Sequence, residues 1–237
     1  ILGLENNFTL GGRLNIKKIH AFQHNDTYTT DGNFGSVLTT AGAPGSQRDR
    51  EQKSDSIAVY IQDAINITDK LTVTPGVRLE HIRADFVDTR AGRETKANYD
   101  AWSGGVGFNY ALNAETNIYG GVHQGVSVPS AKAASGANQI RPEKSLAKEL
   151  GIRYANKEGF FSTEMTAFHT DFKNLIVADS IVNGGQDGNI GEVSSYGLEF
   201  MAQYDPAIQA DLGFSTPLFA SCTYTKAQFE DSTGSTD

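Results

Sequence analysis

The sequence predicts an all-β protein, an antiparallel up-and-down transmembrane β-barrel. Three observations carry that prediction. Apolar residues recur at every second position in many segments, often with an aromatic residue at both ends. Short and long connections alternate along the chain. No run approaches the ~20 apolar residues that a membrane helix needs, which excludes a helical membrane protein.

About ten strands are expected. Strands at 2–10 and 13–25 are separated by Gly11-Gly12, read as a tight turn. A long polar stretch, 26–54, leads to a strand at 55–67. After the turn Thr68-Asp69-Lys70 comes a strand at 71–86, with Leu71, Val73, Pro75, Val77 and Leu79 on one face and Thr72, Thr74, Gly76 and Arg78 on the other. A second long stretch, 87–97, precedes the clearest strand, 98–112. There Trp102, Gly104, Val106, Phe108, Tyr110 and Leu112 alternate with small or polar residues. Trp102 and Tyr110 are eight residues apart. At about 3.3 Å per residue and a tilt near 40°, that spans roughly 20 Å, close to the apolar band of an outer-membrane barrel.

The turn Asn113-Ala114-Glu115 leads to a strand at 116–125 and a long stretch at 126–145. In the strand 146–156, Leu146, Lys148, Leu150, Ile152 and Tyr154 alternate with Ala147, Glu149, Gly151 and Arg153. The turn Asn156-Lys157-Glu158-Gly159 precedes a strand at 160–174 and the long stretch 175–193. The strand 193–204 again has aromatic ends, Tyr196 and Tyr204, with Leu198, Phe200 and Ala202 between them. A link at 205–211 precedes the last strand, 213–226, with Phe214, Thr216, Leu218, Ala220, Cys222 and Tyr224 on one face; a polar tail starts at Gln228. Segments 13–24, 57–66 and 163–173 mix charge into both faces. No helix-period segment of useful length and no domain boundary appears.

Composition narrows the function. A formal net charge of -8 argues against a nucleic-acid partner. The single cysteine, Cys222, excludes an internal disulfide framework and reads as a small apolar filler. Plentiful Gly (25) and scarce Pro (6) suit strands joined by turns. No Gly-x-Ser-x-Gly elbow occurs and the carboxylates are dispersed, so no enzyme is expected. Gly104-Gly105-Val106-Gly107 lies inside a strand with no helix after it, so close packing explains it better than phosphate binding. His20, His24, His81, His123 and His169 form no metal-ligand pattern. Ile1-Leu2-Gly3-Leu4 has no basic leader, so the chain is expected to start after processing or to be a fragment.

Four motifs carry a resemblance. Val59-Tyr60-Ile61-Gln62-Asp63-Ala64, followed by Leu71-Thr72-Val73-Thr74-Pro75-Gly76-Val77-Arg78-Leu79-Glu80, resembles the YxQD…L…PGxRxE hairpin of TonB-dependent outer-membrane receptors. Arg141-Pro142-Glu143-Lys144-Ser145 with Glu149-Leu150-Gly151-Ile152-Arg153-Tyr154 is similar to the family's PExS…ExGxR segment. The segment from Ala167 to Ile176 and that from Gly191 to Glu199 are similar to its F…D…NxI and G…GxE strands. All four occur in the family's order, and the resemblance is closest to the ferric citrate transporter branch.

The resemblance implies a 22-stranded barrel filled by an N-terminal plug. Such receptors bind a ferric chelate, such as iron citrate or a siderophore, at the outer face and import it with energy from the TonB complex. This chain is read as a partial barrel over 1–237, a middle-to-late piece of it. The plug domain, TonB box and C-terminal strands are expected to be absent, since the chain closes on Ser232-Thr233-Gly234-Ser235-Thr236-Asp237, a loop-like sequence. The implied location is the outer membrane, with lipid and lipopolysaccharide as neighbours. The implied cargo iron arrives already chelated, so no cofactor is expected on protein ligands. An isolated segment would leave two unpaired strand edges and is expected to misfold or aggregate. Two other readings stay open: a passive channel or autotransporter-type barrel, and a soluble β-sandwich adhesion domain.

An anionic chelate needs fork-like donors near the outer mouth. The candidate ligand-binding residues are therefore Arg78 and Arg83 on one strand, His123 and Gln124 where a strand enters a long loop, and Arg141 in that loop; Arg48 and Arg50 lie in another. For each arginine the competing reading is a lumen or loop charge paired with a nearby carboxylate, such as Glu80 beside Arg78.

Overall fold

The structure is a computed structural model. It describes residues 5–231 apart from 31, 33–34, 135–139, 181–185 and 190. The strands are β1 (Asn6–Gln23), β2 (Thr27–Thr30), β3 (Ser36–Thr40), β4 (Arg48–Asn66), β5 (Leu71–Asp88), β6 (Arg93–Ala111), β7 (Thr116–Ser127), β8 (Glu143–Ala155), β9 (Phe161–Lys173), β10 (Ile176–Ser180), β11 (Gln186–Asn189), β12 (Glu192–Tyr204) and β13 (Leu218–Asp231). Two single-turn helices, α1 (Ala131–Ala134) and α2 (Pro206–Gln209), sit in connections. Nine strands form one antiparallel sheet in the order β1-β4-β5-β6-β7-β8-β9-β12-β13. Hairpins β2–β3 and β10–β11 lie inside two long connections. The large sheet is thus an up-and-down meander, the partial barrel wall that the alternation predicts.

The expected start of the chain and its closing Ser232–Asp237 segment lie outside the described residues. Among the described residues, four strand boundaries differ from expectation. Gly11-Gly12 is not a turn: β1 pairs with β4 without interruption, Gly11 opposite Tyr60 and Gly12 opposite Val59. The Tyr60 ring lies where a Cβ on Gly11 would have to go. The glycine makes room for an aromatic ring, and two expected strands become one.

The second and third differences share a cause. β4 begins at Arg48 rather than near 55, and β5 and β6 run to Asp88 and from Arg93, so the expected loop at 87–97 shrinks to residues 89–92. Asp85 faces Lys96 and Asp88 faces Arg93 across this hairpin. Nineteen residues of β4 extend roughly 60 Å, or about 48 Å at a 40° tilt, nearly twice the apolar band. Beyond the lipid both faces of a strand meet water, so its composition is that of a loop.

The fourth difference is β13, which begins at Leu218. Residues 205–217 instead hold α2, so Phe214 is not on a strand. Asp205 caps α2 by accepting from Ala207 N (3.0 Å) and Ile208 N (3.1 Å), and Pro206 fixes the first helical φ. Burial raises the Asp205 pKa, but bonds from Ser215, Thr216 and the α2 amides outweigh it and hold the carboxyl below its usual value.

The two faces of the sheet differ sharply. Residues directly opposite in an antiparallel ladder share a face. One such row is Val59, Leu79 and Trp102; another is Leu150, Ala167, Leu198 and Tyr224. This apolar face stays exposed, as in Leu14, Leu79 and Leu150, which in water would be an aggregation surface and in a bilayer is the lipid contact. Cys222 lies on it, beside Phe200. The other face carries Arg13, Arg78, Glu80, Arg153 and Glu164. A single sheet has little interior. The buried cluster Ala84, Phe86 and Ala131 forms where α1 folds back against β5 and β6.

Candidate functional site

The polar face holds the charged groups, so any polar ligand meets the wall there. Its center is the register row Gly11, Tyr60, Arg78, Ser103. Arg78 donates to Glu80 Oε2 from Nε (3.1 Å) and Nη2 (2.8 Å). Ser56 also bonds Glu80, and the Arg13 charge acts on it. Two N–H groups of Arg78 are spent on one carboxylate oxygen, and three of its five remain for another acceptor.

Next to Arg78, a recess of about 320 Å³ is lined by Tyr60, Gln62, Gly76, Ser103 and His123, with the backbone of neighboring residues at its edge. Gly76 and Gly104 are among its lining residues, and Gly105 lies beside them. Gly105 lies opposite His123, and a Cβ there would come within 2.6 Å of both His123 Cβ and the Val122 carbonyl. Close approach of β7 is therefore what the Gly104–Gly107 segment provides, by backbone rather than by a large side chain.

The five predicted ligand residues do not gather in one place. Arg78 and His123 both line the recess. Gln124 borders it, but the alternation of β7 turns its side chain to the opposite face, where it pairs with Gly104 and Leu146. Arg83 is five positions from Arg78 and so lies on the apolar-face side, between Asp55 and Asn98. Arg141 lies in the β7–β8 connection, its backbone clamped by Asn189: Arg141 N donates to Asn189 Oδ1 (2.8 Å) and Asn189 Nδ2 donates to Arg141 O (3.1 Å). Arg48 pairs with Gln23 at the outer end of β4. Arg50 is an ion-pair residue, its Nε 2.7 Å from Asp88 Oδ2. Burial raises the Asp88 pKa, but the Ala91 amide and Arg50 outweigh it and hold the carboxyl below its usual value. Among the described residues, no three His, Cys, Asp or Glu side chains come together as a metal site.

A second polar cluster was not expected. Arg153 donates to Glu164 Oε2 (2.8 Å) and Oε1 (3.1 Å), a two-pronged pair. The Tyr119 hydroxyl donates to Glu164 and also contacts Thr166. Arg153 lies 5.1 Å from the Tyr119 ring center, and that ring covers Gly151 as Tyr60 covers Gly11. The expected turn at 156–159 would reflect Arg153 onto Ser162; the observed turn is centered one position further on and sets Arg153 opposite Glu164, so the pair was not legible in the sequence.

Residues 2–237 match the protein family described as "TonB dependent receptor-like, beta-barrel". The chain belongs to this TonB-dependent receptor β-barrel family. Its relatives include the Metal-pseudopaline receptor CntO of Pseudomonas aeruginosa, 27% identical over 169 residues, covering 68% of this chain and 24% of that protein. The Ferric enterobactin receptor of the same organism is 24% identical over 197 residues, covering 74% and 24%. The chain therefore spans about a quarter of the length of these curated relatives. Among solved structures, the ferric citrate transporter FecA in its unliganded form aligns with a TM-score of 0.72 at 23% identity, covering 95% of this chain and 33% of FecA. The siderophore receptor PiuA from Acinetobacter baumannii aligns with a TM-score of 0.73 at 18% identity, covering 95% and 36%. At these identities the structural likeness speaks for the fold. TonB-dependent receptor barrels are outer-membrane proteins, and the family consists of transport receptors rather than enzymes.

Proposed function

We propose that this wall belongs to an outer-membrane receptor that imports an anionic ferric chelate, with ferric citrate as the first candidate, and that Arg78 and His123 contact the chelate from the polar face. Family membership supports the import reading. One observation carries the residue assignment: Arg78 and His123 line the same recess, and Arg78 keeps three donors beyond its pair with Glu80. Glu80 holds the guanidinium in place, and Arg13 restores a net positive charge beside it. Tyr60, Gln62 and Ser103 add neutral donors that suit the oxygen-rich surface of a citrate complex. In this reading a plug, a TonB box and further strands, contributed by the rest of the receptor, complete the barrel and couple it to TonB.

The test is ferric citrate binding by the full-length receptor in detergent, read by fluorescence quenching, with a panel of other siderophores. Arg78→Ala should weaken ferric citrate binding by about tenfold or more, the worth of a charge-assisted hydrogen bond. Arg83→Ala should leave it unchanged, because Arg83 is on the other face. Tight binding of another chelate but not of citrate would keep the receptor and discard citrate. Equal affinity in the wild type and Arg78→Ala would discard the residue assignment.

A further inference from the structure

At the end of the sheet closed by the short turns, one connection is unlike the rest. The turn 67–70 carries Asp69 and Lys70, 113–115 carries Asn113 and Glu115, and 156–159 carries Lys157 and Glu158, all side chains that suit water. The β12–β13 connection, 205–217, is longer and holds α2. It contains Ile208, Leu212 and Phe214, and neither lysine nor arginine.

This connection is a built element. The buried Asp205 carboxylate accepts from Ala207 N and Ile208 N at its start, and from Ser215 Oγ and Thr216 N near its end. One side chain thus ties both ends together. Asp205 N donates to Phe160 O (2.8 Å), which fastens the connection to the chain entering β9. Leu212 N donates to Ala207 O (3.0 Å), so the chain folds back on α2, with Asp211 and Gly213 at positive φ (49° and 74°). Ala207 is packed inside this fold, yet Ile208, Leu212 and Phe214 stay 41%, 56% and 59% exposed.

The connection also has a side. Tyr204 closes the apolar face of β12, and its hydroxyl donates to Gln209 of α2. The register neighbors of Tyr204 are Phe161 on β9 and Leu218 on β13, and the Tyr154 ring lies 6.1 Å from the Phe161 ring. Tyr154, Phe161, Tyr204 and Leu218 form the lower edge of the apolar band. The bond from Tyr204 therefore sets α2 where that band ends, on the lipid side of the wall rather than beneath its polar face.

We infer that the β12–β13 connection is an interfacial foot: it lies on the periplasmic leaflet of the outer membrane, with Ile208, Leu212 and Phe214 in the zone between head groups and acyl chains. The inference rests on the outer-membrane placement of the family. In water these side chains would be an exposed apolar patch, and they continue the apolar edge that Tyr204 and Leu218 already form. An element of this kind settles about 5–10 Å into the boundary between head groups and acyl chains, beside the tyrosines that mark it. Charge selects the same partner. The connection offers no cation to an anionic head group, Asp205 is hidden by its own bonds, and Asp211 is left as the one exposed carboxylate. The partner is therefore the apolar boundary of the leaflet itself. Held rigid by Asp205, the foot fixes how deep β12 and β13 sit, which the short polar turns of the other strands do not do.

The test uses the full-length receptor, with Cys222→Ser and any other thiol removed, refolded into phosphatidylcholine vesicles. Phe214→Cys carries an environment-sensitive fluorophore, and three quenchers are compared: a lipid nitroxide near the head group, a lipid nitroxide at the acyl-chain end, and iodide present on both sides of the membrane. The label at 214 should lose most of its emission to the head-group nitroxide, less to the chain-end nitroxide and little to iodide. A label at Asp69→Cys, on a short polar turn, should be quenched chiefly by iodide. Anionic lipid added to the vesicles should leave the 214 result unchanged. Iodide quenching at 214 as strong as at 69 overturns the foot, because the connection then stands in water. Quenching by none of the three overturns it as well, because another part of the receptor then covers the patch. If Phe214→Cys fails to fold, judged by loss of its heat-modifiable band, Leu212→Cys is read in the same way, and strong iodide quenching or no quenching there overturns the foot too. A wrong membrane placement looks different: a label at Phe200→Cys, in the middle of the apolar face, would then escape both lipid nitroxides.

Discussion

Assigning the two faces makes a prediction sharp enough to fail. On β12 the apolar face reads Tyr196, Leu198, Phe200, Ala202, Tyr204. If the two tyrosines mark the two edges of the bilayer core, the eight residue steps from one to the other span about 26 Å along the strand and roughly 20 Å across the membrane at a 40° tilt. Phe200 then lies about 10 Å from either edge, at the midplane. Arginine there should cost about 2–4 kcal/mol relative to alanine, or roughly two powers of ten in the folding equilibrium. Arginine at Tyr204 should cost only about 0–1 kcal/mol, because it reaches the interface. Arginine at Glu199 sits on the polar face and should cost under about 1 kcal/mol. The assay is urea unfolding of the full-length receptor refolded into phosphatidylcholine vesicles, comparing Phe200→Arg, Phe200→Ala, Tyr204→Arg and Glu199→Arg. If Glu199→Arg is as costly as Phe200→Arg, the assignment of faces is wrong. If Tyr204→Arg is as costly, the faces stand but the tyrosines do not mark the edges.

Three further outcomes follow from the same geometry. Gly151→Ala should push the Tyr119 ring off its place and cost about 1–2 kcal/mol through the lost bonds to Glu164 and Thr166. In a Tyr119→Ala background the same change should cost little, and a double-mutant cycle without coupling would sink the idea. Asp88 has its pKa lowered in the folded hairpin, so its stabilization is complete above the ordinary carboxylate value near pH 4 and disappears as the pH falls through the depressed value. Hydrogen exchange at the Ala91 amide, which donates to Asp88 Oδ1 at 3.1 Å, should therefore quicken relative to the rest of the β5–β6 hairpin as the pH drops below that value. Asp88→Asn should exchange quickly at both acid and neutral pH, and a variant still protected at neutral pH would count against the account. Cys222 lies on the apolar face, so in vesicles it should react with a membrane-soluble maleimide and resist a charged impermeant one. Equal labeling by the two reagents would place it outside the lipid.

What the sequence made legible was whatever the bilayer enforces. Within the apolar band each strand must alternate, so β5, β6, β8 and β12 were found with the right faces. Outside the band that constraint ends. The outer part of β4, with charges at 48–55, and the ends of β5 and β6 have water on both faces, and nothing in their composition separates them from a loop. Glycine misled for a related reason. A Gly-Gly pair is a common turn signal, but at Gly11 the missing Cβ admits the Tyr60 ring from the next strand, which cannot be seen without the register. α2 was missed although Asp205-Pro206 opens it, because a single helical turn shows no periodicity.

The site was legible only in half, and strand geometry says why. Choosing residues by type selected arginine, histidine and glutamine near one end of the barrel; choosing by parity would have split the set. Arg78 and Arg83 differ by an odd number, as do His123 and Gln124, so each pair must divide between the two faces however the strands are placed. The tight register across β4, β5, β6 and β7 then decides which members meet: Tyr60 faces Arg78, Arg78 faces Ser103, and Gly105 faces His123 one row nearer the short turns. The recess is therefore a product of pairing across four strands. Any change that slipped one of them by a single residue would exchange Arg78 for Val77 or Leu79 on the polar face and turn that strand's charged side chains toward lipid, so under the proposed function it would cost the recess and the strand's place in the membrane together.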